Sequence, residues 1–313
     1  WSSDEAKILW SKYNDYGRDV SCGINQYIYV AVKQQSLIAD FKYKIKWDKI
    51  ENCNSINEIK HPIIRATLQY FGIKENLEII TFSDVPLGTG LGSSSTFTVG
   101  LVNAILAFLG KRATKGQMAD LAAKIEIDIL KRNIGKQDHY AASYGKLHEY
   151  IFKDDESVEI HPVISNSKIL NTIESRCSLF YTHQKRDASK ILKSLNIKKN
   201  YNILNSQKNQ VSDFIDIFSG KKYINNFGKY LHQGWMLKKS TSKSISNKNI
   251  DKNYNKALTL GATGGKILGA GGGGFLLLFS PLNKINKIKK NLKDYQKIDF
   301  KFENGGTRIT YFD

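Results

Sequence analysis

From Leu77 to Gly110 the sequence runs LEIITFSDVPLGTGLGSSSTFTVGLVNAILAFLG: an apolar-rich run, a proline, glycines at alternate positions, three serines and a long apolar stretch. This order predicts a strand that ends at Pro86, a glycine turn, and a helix. Gly88, Gly90 and Gly92 let the backbone take positive φ and approach a ligand closely. A helix that follows aims its unpaired N–H groups and the positive end of its dipole back at the turn, which makes a phosphate cradle. Pro86, Gly88, Gly90, Leu91, Gly92, Ser93, Ser94 and Ser95 are therefore the candidate nucleotide-binding residues. The three hydroxyls add phosphate donors and one possible oxygen ligand for Mg²⁺. No GK[ST] follows, so the loop is not a Walker motif, nor is it the dinucleotide GxGxxG with its acidic residue after the next strand. A glycine turn that serves only tight strand–helix packing is the competing reading.

Two further segments carry chemistry. NIGKQDHYAASYG contains Lys136, Gln137 and Asp138, and Glu126 precedes it on a predicted helix. A carboxylate beside a substrate hydroxyl accepts its proton, and one near Mg²⁺ holds the ion at the phosphates; Asp138 suits the first task and Glu126 the second. Lys136 can keep Asp138 ionised if the two side chains meet. As ordinary solvated residues, the same acids would do neither. The second segment, GGKILGAGGGG, concentrates glycine up to position 274 just before the apolar strand FLLLF. So much glycine is entropically costly and implies close backbone approach, either to a ligand or to another packed element.

The 313 residues suit two domains, with a boundary in HPVISNSKIL near residue 165. One or two antiparallel strands are predicted in 23–41, helices over 61–70 and 114–131, and a strand at RCSLFYTH. Thr114 caps the second helix. Polar-faced helices follow between 187 and 260, and strands at QKIDFKF and TRITYFD close the chain. The pattern is α+β, with helices on one face of an antiparallel sheet. No internal repeat is visible.

A formal charge of +18 raises nucleic-acid binding as a function of a different class. The excess, however, is lysine scattered beside asparagine and isoleucine, as an AT-rich genome would favour, without interleaved aromatic and basic residues. No nucleic-acid partner is assigned on this ground. Cys22, Cys53 and Cys177 are too few and too far apart for a disulfide framework or a CxxC site. No apolar run is long enough for a membrane span, and WSSDEAKILW lacks signal-peptide order, so the expectation is a cytoplasmic protein.

Taken in order, PLGTGLGSSS, NIGKQDHYAASYG, YTHQKRDAS, LHQGWMLKKS and GGKILGAGGGGF resemble the GHMP kinases, and within them the sugar-kinase branch that includes heptose 7-phosphate kinases. The resemblance extends over nearly the whole chain. It implies a two-domain fold, an ATP-binding domain over 1–165 and a C-terminal domain over 166–313, with the site in the cleft between them. ATP and Mg²⁺ are the implied cofactors and a sugar phosphate the implied partner. By the same resemblance Ser94 and Glu126 ligate Mg²⁺, Asp138 is the base, and Gly271 and Gly272 border the transferred group. Arg186, with Gln137 and Gly272, contacts the acceptor. The family begins with a strand and a glycine-rich stretch ending near Thr-Asp. Here the sequence opens at WSSDEAK, so that strand is expected to be missing or outside the sequence given, Asp4 is the candidate for its end, and no N-terminal basic residue is assigned. Oligomeric state is left open, a homodimer included.

Overall fold

In the computed structural model, residues 15–184, 191 and 196–312 are described. The chain separates into two compact units. One comprises the described residues up to Asn25 together with Gly88–Leu91 and Lys146–Asn304; the other comprises Gln26–Leu87, Gly92–Gly145 and the residues from Gly305 on. Both units are therefore discontinuous, where the sequence suggests a single division near residue 165. The strands are β1 (Gly17–Ile24), β2 (Ile28–Gln34), β3 (Tyr43–Lys46), β4 (Ile50–Cys53), β5 (Leu77–Ser83), β6 (Leu147–Phe152), β7 (Val158–Pro162), β8 (Cys177–Tyr181), β9 (Gly264–Ile267), β10 (Phe275–Phe279), β11 (Gln296–Ile298) and β12 (Phe302–Glu303). The α-helices are α1 (Pro62–Phe71), α2 (Ser93–Phe108), α3 (Lys115–Ala123), α4 (Gln137–Tyr144), α5 (Ser167–Arg176), α6 (Ile197–Phe218), α7 (Asn226–Thr241), α8 (Lys248–Thr259) and α9 (Leu282–Asn291).

The smaller unit holds the mixed sheet β2-β5-β3-β4, in which β3 runs parallel to β5 and the other pairs are antiparallel. Ile45, Ile79, Ile64 and Leu68 close its core against α2. Helix α2 is buried on most sides, with Val99, Leu101, Val102 and Ile105 fully inaccessible. At about 1.5–3 kcal/mol for each fully buried aliphatic side chain, this burial fixes the helix and so the serines at its start. Helix α1 is capped by His61, which accepts from the Ile64 amide, and ends at Gly72 in the left-handed region. Helix α3 opens with the capping box Thr114–Gln117.

The larger unit holds two antiparallel sheets, β12-β1-β6-β7 and β11-β8-β10-β9. Leu276 and Leu278 of β10 pack with Trp235, Ile250, Tyr254 and Ile288 from α7, α8 and α9. Phe279 joins a second cluster with Ile173, Ile217 and Phe227.

Four sequence expectations need correction. Within 23–41 the structure has one whole strand, β2, and only the last two residues of β1; the two do not pair, since β1 bonds β6 and β12 while β2 bonds β5. The predicted helix over 114–131 is α-helical only to Ala123, then becomes a π-helical turn over Lys124–Ile129, with the Leu130 amide bonding the Ile125 carbonyl at 3.0 Å. TRITYFD forms no strand over its described residues: the Thr307 amide bonds Ala142, and 308–312 are exposed, so the β-branched side chains there find no apolar face. QKIDFKF splits into β11 and β12, which belong to different sheets. Among the described residues, no helix is long and apolar enough to cross a membrane.

Candidate active site

The glycine turn has positive φ at Gly88 (76°), Gly90 (89°) and Gly92 (68°), and Gly92 is the N-cap of α2. Of the serines that follow, Ser93 and Ser95 are buried and Ser94 is half-buried. The i, i+4 spacing puts Ser94 and Thr98 on one face of α2, and that face meets Glu126. Ser94 Oγ donates to Glu126 Oε2 at 2.7 Å, and Thr98 Oγ1 lies 2.8 Å from Oε1. His139 Nε2 is 3.2 Å from Oε1, and Arg132 Nη1 is 2.5 Å from Oε2 and 2.6 Å from Ser94 Oγ. Glu126 is thus fully buried yet surrounded by four polar side chains. Burial alone would raise its pKa; hydrogen bonding and charge interaction with His139, with hydrogen bonds from Ser94 and Thr98, outweigh that and bring it down to about 2. The carboxylate is therefore an acceptor, so the His139 Nε2 must carry the donated hydrogen.

The π turn helps to build this arrangement. It leaves Lys131 in the left-handed region at φ 51°, and the Arg132 amide returns to bond the Glu126 carbonyl at 3.0 Å. The guanidinium then folds back on the acid six residues earlier, a meeting that no regular helical spacing provides.

Asp138 lies in the first turn of α4, not in an open turn, where a carboxylate is favoured by the helix dipole. Lys136 is the N-cap, its carbonyl accepting from the His139 and Tyr140 amides at 3.1 and 3.2 Å. Gln137 Nε2 donates to Asp138 Oδ1 at 3.4 Å. Helix α4 is tied to α3 by Tyr140 Oη, 2.6 Å from Asp120, and by Ser143 Oγ, 2.5 Å from the Lys115 carbonyl. The acid is held against the turn: a Cβ built on Gly92 would lie 3.1 Å from Asp138 Cγ and 3.3 Å from Oδ2. Ser94, Glu126, Gln137 and Asp138 are therefore gathered within one unit at the start of α2.

In the larger unit, Thr89 is fully buried and its carbonyl accepts from the Phe275 amide at 3.0 Å. Positive φ occurs at Gly271 (105°), Gly272 (75°), Gly273 (152°) and Gly274 (86°). The Gly272 amide donates to the Ile245 carbonyl at 2.7 Å and the Gly274 amide to Gln184 at 2.9 Å. Pro86 and Gly88 are exposed, and Gly90 and Leu91 are half-buried. Arg186 lies outside the described residues.

Residues 57–146 match the description "GHMP kinases N terminal domain" and residues 221–298 match "GHMP kinases C terminal". The chain belongs to the GHMP kinase family. As a GHMP kinase it is a small-molecule kinase, and GHMP kinases use ATP. It is 31% identical over 234 residues to the D-glycero-alpha-D-manno-heptose 7-phosphate kinase of Campylobacter jejuni, covering 73% of this chain and 69% of that protein. A putative sugar kinase of known structure from the same species superposes with a TM-score of 0.68 at 26% identity, over 93% of this chain and 89% of the other. A D-glycero-D-manno-heptose 1-phosphate kinase from Bacteroides thetaiotaomicron shares the fold, with a TM-score of 0.70 at 20% identity over 97% and 91% of the two chains.

The donors at the start of this kinase's α2 fit a hard cation. Glu126 offers an ionised carboxylate oxygen and Ser94 a hydroxyl 2.7 Å from it, the oxygen-only set Mg²⁺ accepts when water and phosphate oxygens complete its shell. Among the described residues, no three His, Cys, Asp or Glu side chains form a cage that would hold an ion unaided. Three members of the cluster, Thr98, Arg132 and His139, escape motif reading. Only the Ser94–Thr98 spacing carries a signal in sequence; Arg132 and His139 reach Glu126 through the π turn and the start of α4.

Proposed function

We propose that the chain transfers the γ-phosphoryl group of ATP to the anomeric hydroxyl of D-glycero-D-manno-heptose 7-phosphate, giving the 1,7-bisphosphate and ADP. The observation that carries this reading is the contact of Asp138 with Gly92, which sets an acid at the amide-rich start of α2, where a triphosphate would bind. The substrate rests on the 31% identity to a protein named as a heptose 7-phosphate kinase.

In this mechanism Gly88, Gly90, Leu91, Gly92 and Ser93 hold the phosphates through main-chain N–H groups and hydroxyls, with Pro86 and Ser95 bounding the turn. Ser94 and Glu126 supply the protein ligands of Mg²⁺, which when bound offsets charge on the β- and γ-phosphates. Asp138 orients the acceptor hydroxyl and takes its proton as the oxygen–phosphorus bond forms and the bond to the β-phosphate oxygen breaks. Lys136 favours the ionised form of Asp138, and Gln137 orients it and contacts the acceptor. Gly271 and Gly272 border the transferred group. Arg186 pairs with the 7-phosphate. Little covalent work falls to the protein; positioning and charge supply the rate.

The test is ADP release and product analysis with ATP, Mg²⁺ and a panel of heptose phosphates, hexose phosphates and free hexoses. Turnover of heptose 7-phosphate in competition with fucose and galactose is the expected result. Preference for a free hexose would reassign the acceptor, and no ADP above background with any acceptor would overturn the kinase mechanism.

A further inference from the structure

Four polar side chains meet the Glu126 carboxylate, and they differ in how readily they can leave. Thr98 and His139 are fully buried, so either one, on turning away, would lose its partner inside the protein. Ser94 is fixed by its place in the first turn of α2. Arg132 is different: its side chain keeps 34% of its exposure, and it ends a segment that has just left the π turn. It also spans both atoms assigned to the cation, with one nitrogen, Nη1, at 2.6 Å from Ser94 Oγ and 2.5 Å from Glu126 Oε2. Because Ser94 donates to the carboxylate, its lone pairs are what Arg132 engages. Those lone pairs, and that carboxylate oxygen, are what a divalent ion would need.

We propose that Arg132 is a resident counter-cation of the Ser94–Glu126 pair, which holds the two oxygens together in the metal-free protein and is displaced when a divalent ion binds. The inference rests on the reading of Ser94 and Glu126 as cation ligands. Two positive groups cannot share two oxygens without strong repulsion in a largely buried setting, so guanidinium and ion exclude one another. The arrangement keeps a fully buried carboxylate satisfied at all times, by Thr98 and His139 on Oε1 throughout and on Oε2 by Arg132 before the ion arrives and by the ion afterwards. Once released, the guanidinium stands at the start of α2 beside the turn, free to meet the anionic charge that arrives with the nucleotide.

The experiment measures Mn²⁺ alone, by electron paramagnetic resonance, with nucleotide-free protein carrying Arg132→Gln, Arg132→Lys, Glu126→Gln or both Arg132→Gln and Glu126→Gln, beside thermal melts in EDTA and in Mg²⁺. Arg132→Gln should bind Mn²⁺ roughly tenfold or more tightly than the parent, with Arg132→Lys in between. Its melting temperature should fall in EDTA and recover in Mg²⁺, while that of the parent hardly responds to the ion. The double substitution should abolish the gained Mn²⁺ affinity. If Arg132→Gln melts cooperatively but binds Mn²⁺ no better than the parent, displacement is overturned while the ligand assignment of Glu126 stands. If the double variant keeps the tight Mn²⁺ site, the ligand assignment itself falls, and the proposal with it. Absence of Mn²⁺ binding in every variant overturns the proposal as well, and leaves the ADP-release assay as the separate measure of the kinase mechanism.

Discussion

Two glycine-rich loops looked alike in the sequence, and their surroundings are different in kind. At Gly92 the space that a Cβ would fill is bounded by the Asp138 side chain, at 3.1–3.3 Å. At Gly271, Gly273 and Gly274 it is bounded by backbone: the Ile245 carbonyl oxygen at 2.8 Å, Gln184 at 2.7 Å and Thr89 at 2.0 Å. In the second loop, packing alone requires glycine, whatever ligand arrives there. In the first, glycine leaves room for an acid. Glycine enrichment therefore reports close approach without telling what approaches, and only the neighbour's chemistry separates a fold requirement from a site requirement.

The largest effect should come from the acid that the first loop accommodates. Asp138→Asn preserves shape and should lower kcat by roughly 10²–10⁴-fold. ATP binding and the melting temperature should be nearly unchanged, as read by titration calorimetry and thermal denaturation. A loss of stability in place of a loss of turnover would make the Gly92–Asp138 contact a packing feature like those of the second loop, and would erase the contrast.

The second loop predicts the opposite signature. Gly274→Ala places a methyl group against the Thr89 carbonyl at a residue with φ 86°, where the same backbone also carries bonds from Thr182 and to Gln184. It should cost about 3 kcal/mol or more of unfolding free energy in urea denaturation. Any loss of kcat in the folded fraction should be smaller than that of Asp138→Asn.

Acid titration separates the smaller unit's buried carboxylate from the loops. The folded pKa of Glu126 is about 2, below its ordinary 4.5, with burial opposing the shift and His139, Ser94 and Thr98 producing it. Because the folded value is the lower one, its contribution is present in full above the unfolded pKa and is lost as pH falls from 4.5 toward 2. The loss should amount to about 3 kcal/mol across that window, and Glu126→Gln should flatten this part of the pH–stability curve. An unchanged slope in the variant would show that another acid carries it.

These contrasts also mark what the sequence reveals and what it hides. The strand, turn and helix at 77–108 are legible because Pro86, the alternating glycines and the long apolar run all act locally, and α1 at Pro62–Phe71 is legible from its apolar spacing. The π turn at Lys124–Ile129 is invisible, since its residues fit an ordinary helix and tertiary contacts choose the extra residue. The partner of β2 is likewise non-local, so a strand in 23–41 can be seen without seeing that it bonds β5, while most of β1, at Gly17–Ile24, lies before the segment that the alternation marks. At the site, Glu126 and Asp138 are candidates by residue type, and the choice of Ser94 among three serines rests on the family resemblance. Arg132 and His139 do not stand out, because Arg132 reaches Glu126 only through the π turn and His139 only through the start of α4.

The smallest expected effect lies at the hinge of the comparison, where the first loop meets its acid. Gly92→Ala forces a left-handed residue, at φ 68°, to carry a Cβ, a strain of about 1 kcal/mol. The contact at 3.1 Å is with a side chain, which can give by a few tenths of an ångström where a carbonyl oxygen at 2.0 Å cannot. Stability should therefore fall by only about 1–2 kcal/mol, less than for Gly274→Ala. Turnover should fall about tenfold through displaced Asp138, with KM for ATP altered less than kcat. If Gly92→Ala instead proved as unstable as Gly274→Ala and normally active per folded molecule, both loops would answer to packing alone, and Asp138 would have to be assigned by something other than its contact with the turn.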